Sequence, residues 1–230
     1  MNQIQERDQR LLRVIYEQQF VLMSQIERWF FGKQSARRAR QRIQVLSEAG
    51  WLQRVESPLI KHARIIRLTK SGVSIAETDR VERIPQTRTL DVSTLLHDSI
   101  VTSVRLRLEE LWDAFWVPER LIKAEQFSHI PDGLVIFDAS RLQVAVEVEN
   151  SPKGPKRFHE IQQRWRGSKV ELILYVASSP TMFRIVQNYL KTGPQDLPFA
   201  LVLWSELEAG VPHAWTVAGE IDVFSRRDLE

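Results

Sequence analysis

The chain has 230 residues, 43% hydrophobic and 27% charged, which suits one large or two small domains and makes disorder not the default. It has no cysteine, which excludes a disulfide framework, a thiolate metal site and a cysteine nucleophile. The net charge of +3 conceals an asymmetry: residues 1–90 carry 17 Lys/Arg against 9 Asp/Glu, and residues 91–230 carry 15 against 20. A basic front half points to a polyanion, most simply nucleic acid. An acidic rear half suits a metal better than tight phosphate contact. No run approaches the ~18 apolar residues of a membrane span, and the first ten residues lack the apolar core of a signal peptide. The expectation is a cytoplasmic protein with no membrane partner.

Residues 8–19 predict a helix with Leu11, Leu12, Ile15 and Tyr16 on one face. Ser24-Gln25-Ile26-Glu27 is a capping-box pattern and predicts a short helix ending near Gly32. Ser35 is placed to cap a third helix over 36–49, with Ala39, Ile43 and Leu46 inward. Arg37, Arg38, Arg40, Gln41 and Gln44 are left outward or lateral. Arg and Gln are the side chains that read guanine and adenine edges in a major groove or pair with phosphate. A solvated helix surface is the alternative. Four arginines in six positions with no interleaved acid, Arg42 included, pair poorly at i,i+4 and favour the binding face.

Residues 51–56 and 63–68 predict a hairpin turning at Ser57-Pro58, with Lys61, His62, Arg64 and Arg67 on its tip and second strand. Three helices and a basic hairpin describe a winged helix-turn-helix over 1–80, its recognition helix at 36–49 and its wing at about 57–64. Thr69 to Gly72 opens a further helix to about residue 79. Residues 81–92, with Pro85, lack periodicity and predict a linker.

Residues 93–112 predict a long helix with Leu95, Leu96, Ile100, Val104, Leu108 and Leu111 on a broad face, and His97 near its start as a core or cap residue. A strand at 115–122 follows. Residues 130–137 and 142–148 predict a hairpin turning at 138–141. Its second strand alternates Leu142, Val144, Val146 and Val148 against Gln143, Ala145 and Glu147. Asp132 lies in the first strand. Glu147 and Glu149, two apart, share a face of the second. Converging carboxylates repel unless a cation or proton sits among them. Mg²⁺ prefers such all-oxygen sites and can activate water and neutralise phosphate charge. The alternative is that the acids line the solvated face of an edge hairpin.

Residues 153–166 predict a helix with Phe158, Ile161 and Trp165 inward and Lys156, Arg157, Arg164 and Arg166 outward. A buried strand at 170–176, a helix at 182–190 and a strand at 199–204 follow. The 205–230 tail reads as a strand or extended arm. The order α-β-β-β-α-β-α-β over 93–230 gives an α/β domain with a mixed sheet, hence a two-domain α/β chain.

Pro131-Asp132, a hydrophobic strand and then Glu147-Val148-Glu149 resemble the signature of the PD-(D/E)xK nuclease superfamily. Where that signature has Lys, this chain has Glu149, and Lys153 or Lys156 from the next helix is placed to substitute. Together with R-D-Q-R-L-L at 7–12, L-S-E-A-G-W-L at 46–52, R-L-T-K-S-G at 67–72, L-H-D at 96–98 and V-E-V-E-N at 146–150, the whole chain resembles the replication-relaxation family, which includes small mobilisation proteins of the class C relaxases. The resemblance implies a restriction-endonuclease-like domain over 93–230. It implies Asp132 and Glu147 as ligands of Mg²⁺ or Mn²⁺, Glu149 as a third carboxylate, and Lys153 and Lys156 as catalytic candidates. It implies double-stranded DNA held by Arg37, Arg38, Arg40, Gln41 and Gln44, with Lys61, His62 and Arg64 from the wing. The implied reaction is metal-assisted attack on a phosphodiester at a transfer origin. A homodimer and other transfer or mobilisation proteins are further expected partners. The competing expectation is a non-catalytic winged-helix regulator whose second domain serves dimerisation or effector sensing. Tyr16, Tyr175 and Tyr189 fall at core positions, which argues against a covalent tyrosine route.

Overall fold

The computed structural model describes residues 4–32, 36–56, 64–77, 83–87, 89–112, 114–122, 128–137, 140–211 and 213–222. The chain divides into two compact units, Met1–Thr102 and Ser103–Glu230.

In the first unit, helix α1 (Glu6–Gln18) buries Leu11, Leu12, Val14, Ile15 and Tyr16, and with them two acids, Asp8 and Glu17. Strand β1 (Val21–Leu22) leads directly into α2 (Met23–Trp29). This corrects the expected cap at Ser24. Val21 and Leu22 pair with Ile66 and Ile65, so the chain passes from strand to helix two residues earlier. It is Gln25, through Oε1, that accepts the Leu22 amide at 2.9 Å. Glu27 turns instead to Arg40 on the next helix, 2.9 Å away.

Helix α3 (Ala36–Glu48) buries Ala39, Ile43 and Leu46, as its periodicity predicts; Ser35 lies outside the described residues. Strands β2 (Leu52–Val55) and β3 (Ile65–Leu68) pair antiparallel, and β1 joins to give the order β1-β3-β2. Lys61 and His62 lie outside the described residues. As the middle strand, β3 is buried along its whole length. Arg67 is therefore not part of a basic surface: it donates to the Gln19 carbonyl at 3.3 Å and to the Thr87 carbonyl. Helix α4 (Lys70–Ala76) is capped by the Thr69 hydroxyl, which accepts the Gly72 amide at 3.1 Å. A Cβ on Gly72 would come within 2.1 Å of the Trp51 carbonyl oxygen, so only glycine fits there.

The described part of the expected linker is strapped to the end of α1. Ile84 is buried, its amide donates to the Tyr16 hydroxyl at 2.6 Å, and the Thr87 amide donates to Gln19 Oε1 at 2.9 Å. The division between the units falls further on, inside α5 (Leu95–Leu111). Leu95, Val104 and Leu108 of the expected apolar face are buried, but Leu96 is 63% exposed. One residue along a helix is about a 100° step, and Leu95 occupies the inward position. Arg105 is buried on this helix, paired with Glu109 at 2.8 Å.

The second unit is built on one seven-stranded mixed sheet. Its elements are β4 (Phe115–Pro118), β5 (Gly133–Ile136), β6 (Gln143–Glu149), α6 (Pro155–Arg164), β7 (Leu172–Ala177), α7 (Pro180–Thr192), β8 (Phe199–Leu203), α8 (Trp204–Ala209), β9 (His213–Thr216) and β10 (Gly219–Asp222). The strand order is β10-β9-β8-β7-β6-β5-β4. Strands β6, β7 and β8 run parallel and the other neighbours pair antiparallel. The tail thus adds α8 and a hairpin to the expected order. Strand β6 lies between β5 and β7 and is buried from Val144 to Glu149. This overturns the alternative of an edge hairpin with solvated acids: β6 is paired on both sides, and Glu147 and Glu149 are both buried. Phe158, Trp165, Tyr175, Met182, Val186 and Leu190 join α6, α7 and the sheet in one core. On α6 it is Gln162 that is fully buried, with Ile161 only half-buried. Among the described residues no helix is long and apolar enough to cross a membrane.

Candidate functional site

Two adjacent strands bring the acids of the second unit together. Gly133 pairs with Val146, so Asp132, one residue earlier, comes opposite Glu147. Asp132 is fixed by the Val148 amide, which donates to its Oδ2 at 2.7 Å. The next position must be glycine, because a Cβ on Gly133 would come within 1.9 Å of the Trp116 ring.

Glu147 is 5% exposed and Glu149 3% exposed. Each meets a base. His129 Nε2 lies 2.8 Å from Glu147 Oε1, and its ring stands edge-on to Trp165 with centroids 5.4 Å apart. Lys153 Nζ donates to Glu149 Oε1 at 2.6 Å. The loop carrying Lys153 is held from α7, where the Tyr189 hydroxyl donates to the Lys153 carbonyl at 3.0 Å. Lys156 stays exposed on the first turn of α6, so of the two candidate lysines it is Lys153 that reaches the acids.

Burial pushes the Glu147 carboxyl up to about 7. The His129 hydrogen bond opposes that shift, the Asp132 charge adds to it, and the His129 and Lys153 charges resist it. On the parallel neighbour β7, Tyr175 lies beside Glu147. Burial, followed by the charges of Glu147 and Glu149, pushes the Tyr175 phenol well above its ordinary value.

Among the described residues, no group of three or more His, Cys, Asp or Glu side chains is gathered in a form that could hold a metal. The three carboxylates expected to act together are engaged separately: Asp132 by the Val148 amide, Glu147 by His129 and Glu149 by Lys153. Asp132 and Glu147 alone are nonetheless a fitting donor set for Mg²⁺ or Mn²⁺. They are two hard oxygen donors at facing positions that repel one another. Mg²⁺ is commonly held by one or two carboxylates and completed by water and phosphate oxygens.

In the first unit, Arg37, Arg38, Arg40, Gln41 and Gln44 are all exposed on α3, and Arg64 is exposed just before β3. The arginine row has no interleaved acid of its own and takes its counter-charges from elsewhere. Acids arrive from other helices: Glu27 of α2 pairs with Arg40, and Asp8 of α1 takes Arg42. Gln44 bonds Glu48 at 2.8 Å and receives Arg54 at 3.3 Å. Arg37 and Arg38 have no ion pair among the described residues. His97 is half-buried near the start of α5.

Sequence reasoning passed over His129 and reduced Tyr175 to core. The signal for His129 was its place three residues before Asp132. That for Tyr175 exists only in the β6–β7 register. No protein-family model, curated protein or solved structure matches this chain.

Proposed function

We propose that this chain is a DNA-binding protein of the mobile-element mobilisation type, in which a winged helix-turn-helix precedes a PD-(D/E)xK-like domain that nicks DNA with a divalent cation. The observation that carries the chemistry is the facing pair Asp132 and Glu147, with Glu147 buried and its carboxyl raised to about 7. A buried carboxylate pushed so far favours a cation or proton beside it. The order α1-β1-α2-α3-β2-β3, with Arg37, Arg38 and Gln41 exposed on α3, supports α3 as the recognition helix.

In this reading Asp132 and Glu147 hold Mg²⁺ or Mn²⁺. The bound cation supplies charge neutralisation at the scissile phosphate and lowers the pKa of a water. The Val148 amide orients Asp132, and His129 orients Glu147. Lys153 stands in for the lysine displaced by Glu149 and presents its ammonium to a phosphate oxygen. Double-stranded DNA is the partner, with a homodimer and other transfer proteins as further ones.

A non-catalytic regulator is the second reading. It is favoured by the His129–Glu147 and Lys153–Glu149 pairs, which engage both buried glutamates without a cation. Incubation with supercoiled and single-stranded DNA separates the two. Nicking that requires Mg²⁺ or Mn²⁺ and vanishes in Asp132→Ala and Glu147→Ala, with DNA binding retained, is the expected result. Salt-sensitive binding without any cleavage gives the regulator. Affinity unchanged between low and high salt removes phosphate-led DNA binding altogether.

A further inference from the structure

Tyr175 carries a polar atom that the fold does not use. The side chain is 1% exposed, and its hydroxyl has no hydrogen-bond partner among the described residues. A buried hydroxyl left unpaired loses its hydration without return. Phenylalanine would make the same ring contact with Phe158, whose centroid lies 5.4 Å away, at no such cost.

The register says which face of the sheet the ring leaves. Glu147 and Tyr175 are partners across the parallel β6–β7 pair, so their side chains leave the same face of the sheet. Glu149, two residues on, leaves that face too, so the ring and both carboxylates lie on one side of the sheet. The phenol O–H is a hydrogen-bond donor. One oxygen of each glutamate is already taken, by His129 and by Lys153. What the phenol lacks is an acceptor.

We propose that Tyr175 is a positioning residue of the acidic site, its hydroxyl donating to the oxygen shell, carboxylate or water, that assembles when Asp132 and Glu147 hold a divalent cation. This rests on the cation-binding reading of that site. A donor of this kind orients ligand oxygens from outside the coordination sphere. The unpaired hydroxyl is then a cost carried by the metal-free protein and relieved on loading.

The test uses the full chain without DNA. Titration calorimetry with MnCl₂ measures affinity, and thermal unfolding in chelator measures the metal-free fold, for wild type, Tyr175→Phe and Asp132→Ala. Tyr175→Phe is expected to unfold at the wild-type temperature or slightly above it without metal, and to bind Mn²⁺ about 10–100-fold more weakly. Equal Mn²⁺ affinity in wild type and Tyr175→Phe overturns the role of Tyr175 while leaving the cation site standing. A clearly lower metal-free unfolding temperature for Tyr175→Phe also overturns it, since the hydroxyl would then serve the fold itself. Wild type that binds no Mn²⁺, or binds it as Asp132→Ala does, removes the cation site and the role of Tyr175 with it.

Discussion

Asp8 in the first unit and Glu147 in the second are both buried carboxylates, and their surroundings are opposite. Asp8 faces a permanent cation. Arg42 Nε lies 3.0 and 3.1 Å from its two oxygens, a second guanidinium nitrogen also donates, and the Gln5 amide adds a bond at 2.9 Å. The hydrogen bond to Asp8 is the largest cause raising the Arg42 pKa. Glu147 has a histidine, which can be neutral, and across the strand pair another carboxylate. The first arrangement is a closed clamp between α1 and α3. The second sets one carboxylate against another, and burial makes Glu147 hold its proton more tightly than a free side chain does.

The contrast is most sharply broken at the clamp. Asp8→Ala is expected to cost about 3–5 kcal/mol in urea unfolding, because it strands the Arg42 charge. Asp8→Leu combined with Arg42→Met should recover most of that loss, and a double variant as weak as the single one would deny that the pair acts as a unit.

Glu147 should show the reverse dependence on charge. Its folded carboxyl titrates at about 7, against 4.5 for the free side chain. The native state therefore holds the proton more tightly than the unfolded one. The contribution is complete below about pH 4.5 and lost as pH rises through 7, a loss on the order of 3 kcal/mol in metal-free buffer. Glu147→Gln should flatten that part of the stability profile, and a difference curve with no slope between pH 5 and 7.5 would contradict the role given to burial.

His129→Phe sharpens the comparison further. With its hydrogen-bond partner gone, Glu147 should titrate still higher, and stability at pH 8 should fall by about 2 kcal/mol. An unchanged Glu147 titration, followed by carboxyl infrared absorption, would show that His129 does not support it. The smallest effect on the fold is expected on α3. Arg37→Ala with Arg38→Ala should change stability by less than about 0.5 kcal/mol. The same variant should weaken DNA binding and lower the salt slope by about 2. A slope that does not move would place the DNA contact elsewhere.

Much of the fold was legible because its signals are local. Ala39, Ile43 and Leu46 recur at helical spacing and are buried on α3. The apolar run in β7 reads as a buried strand and is one. The misreadings share a different cause. Leu96 and Leu95 are equally apolar, and nothing short of packing decides which turns inward. Arg67 reads as surface charge until β1 makes β3 the middle strand. Ser24 has the residues of a cap, but strand pairing of Val21 and Leu22 starts the helix before it. At the candidate site, Asp132, Glu147 and Glu149 were visible as acids in strands. The alternative of a solvated edge-hairpin face fails because β6 is paired on both sides and the core of α6 and α7 packs on the sheet.

Sequence alone determined the kind and order of most elements and the identity of the acids, because periodicity, turn chemistry and strand pattern act over a few residues. The tertiary structure decided which charge meets which. Asp8 finds Arg42 on another helix, His129 reaches Glu147 from the far side of a strand turn, and Tyr175 arrives beside Glu147 only through the parallel register. Those partnerships depend on burial and pairing between distant segments, and it is burial that makes a carboxylate's choice of partner matter.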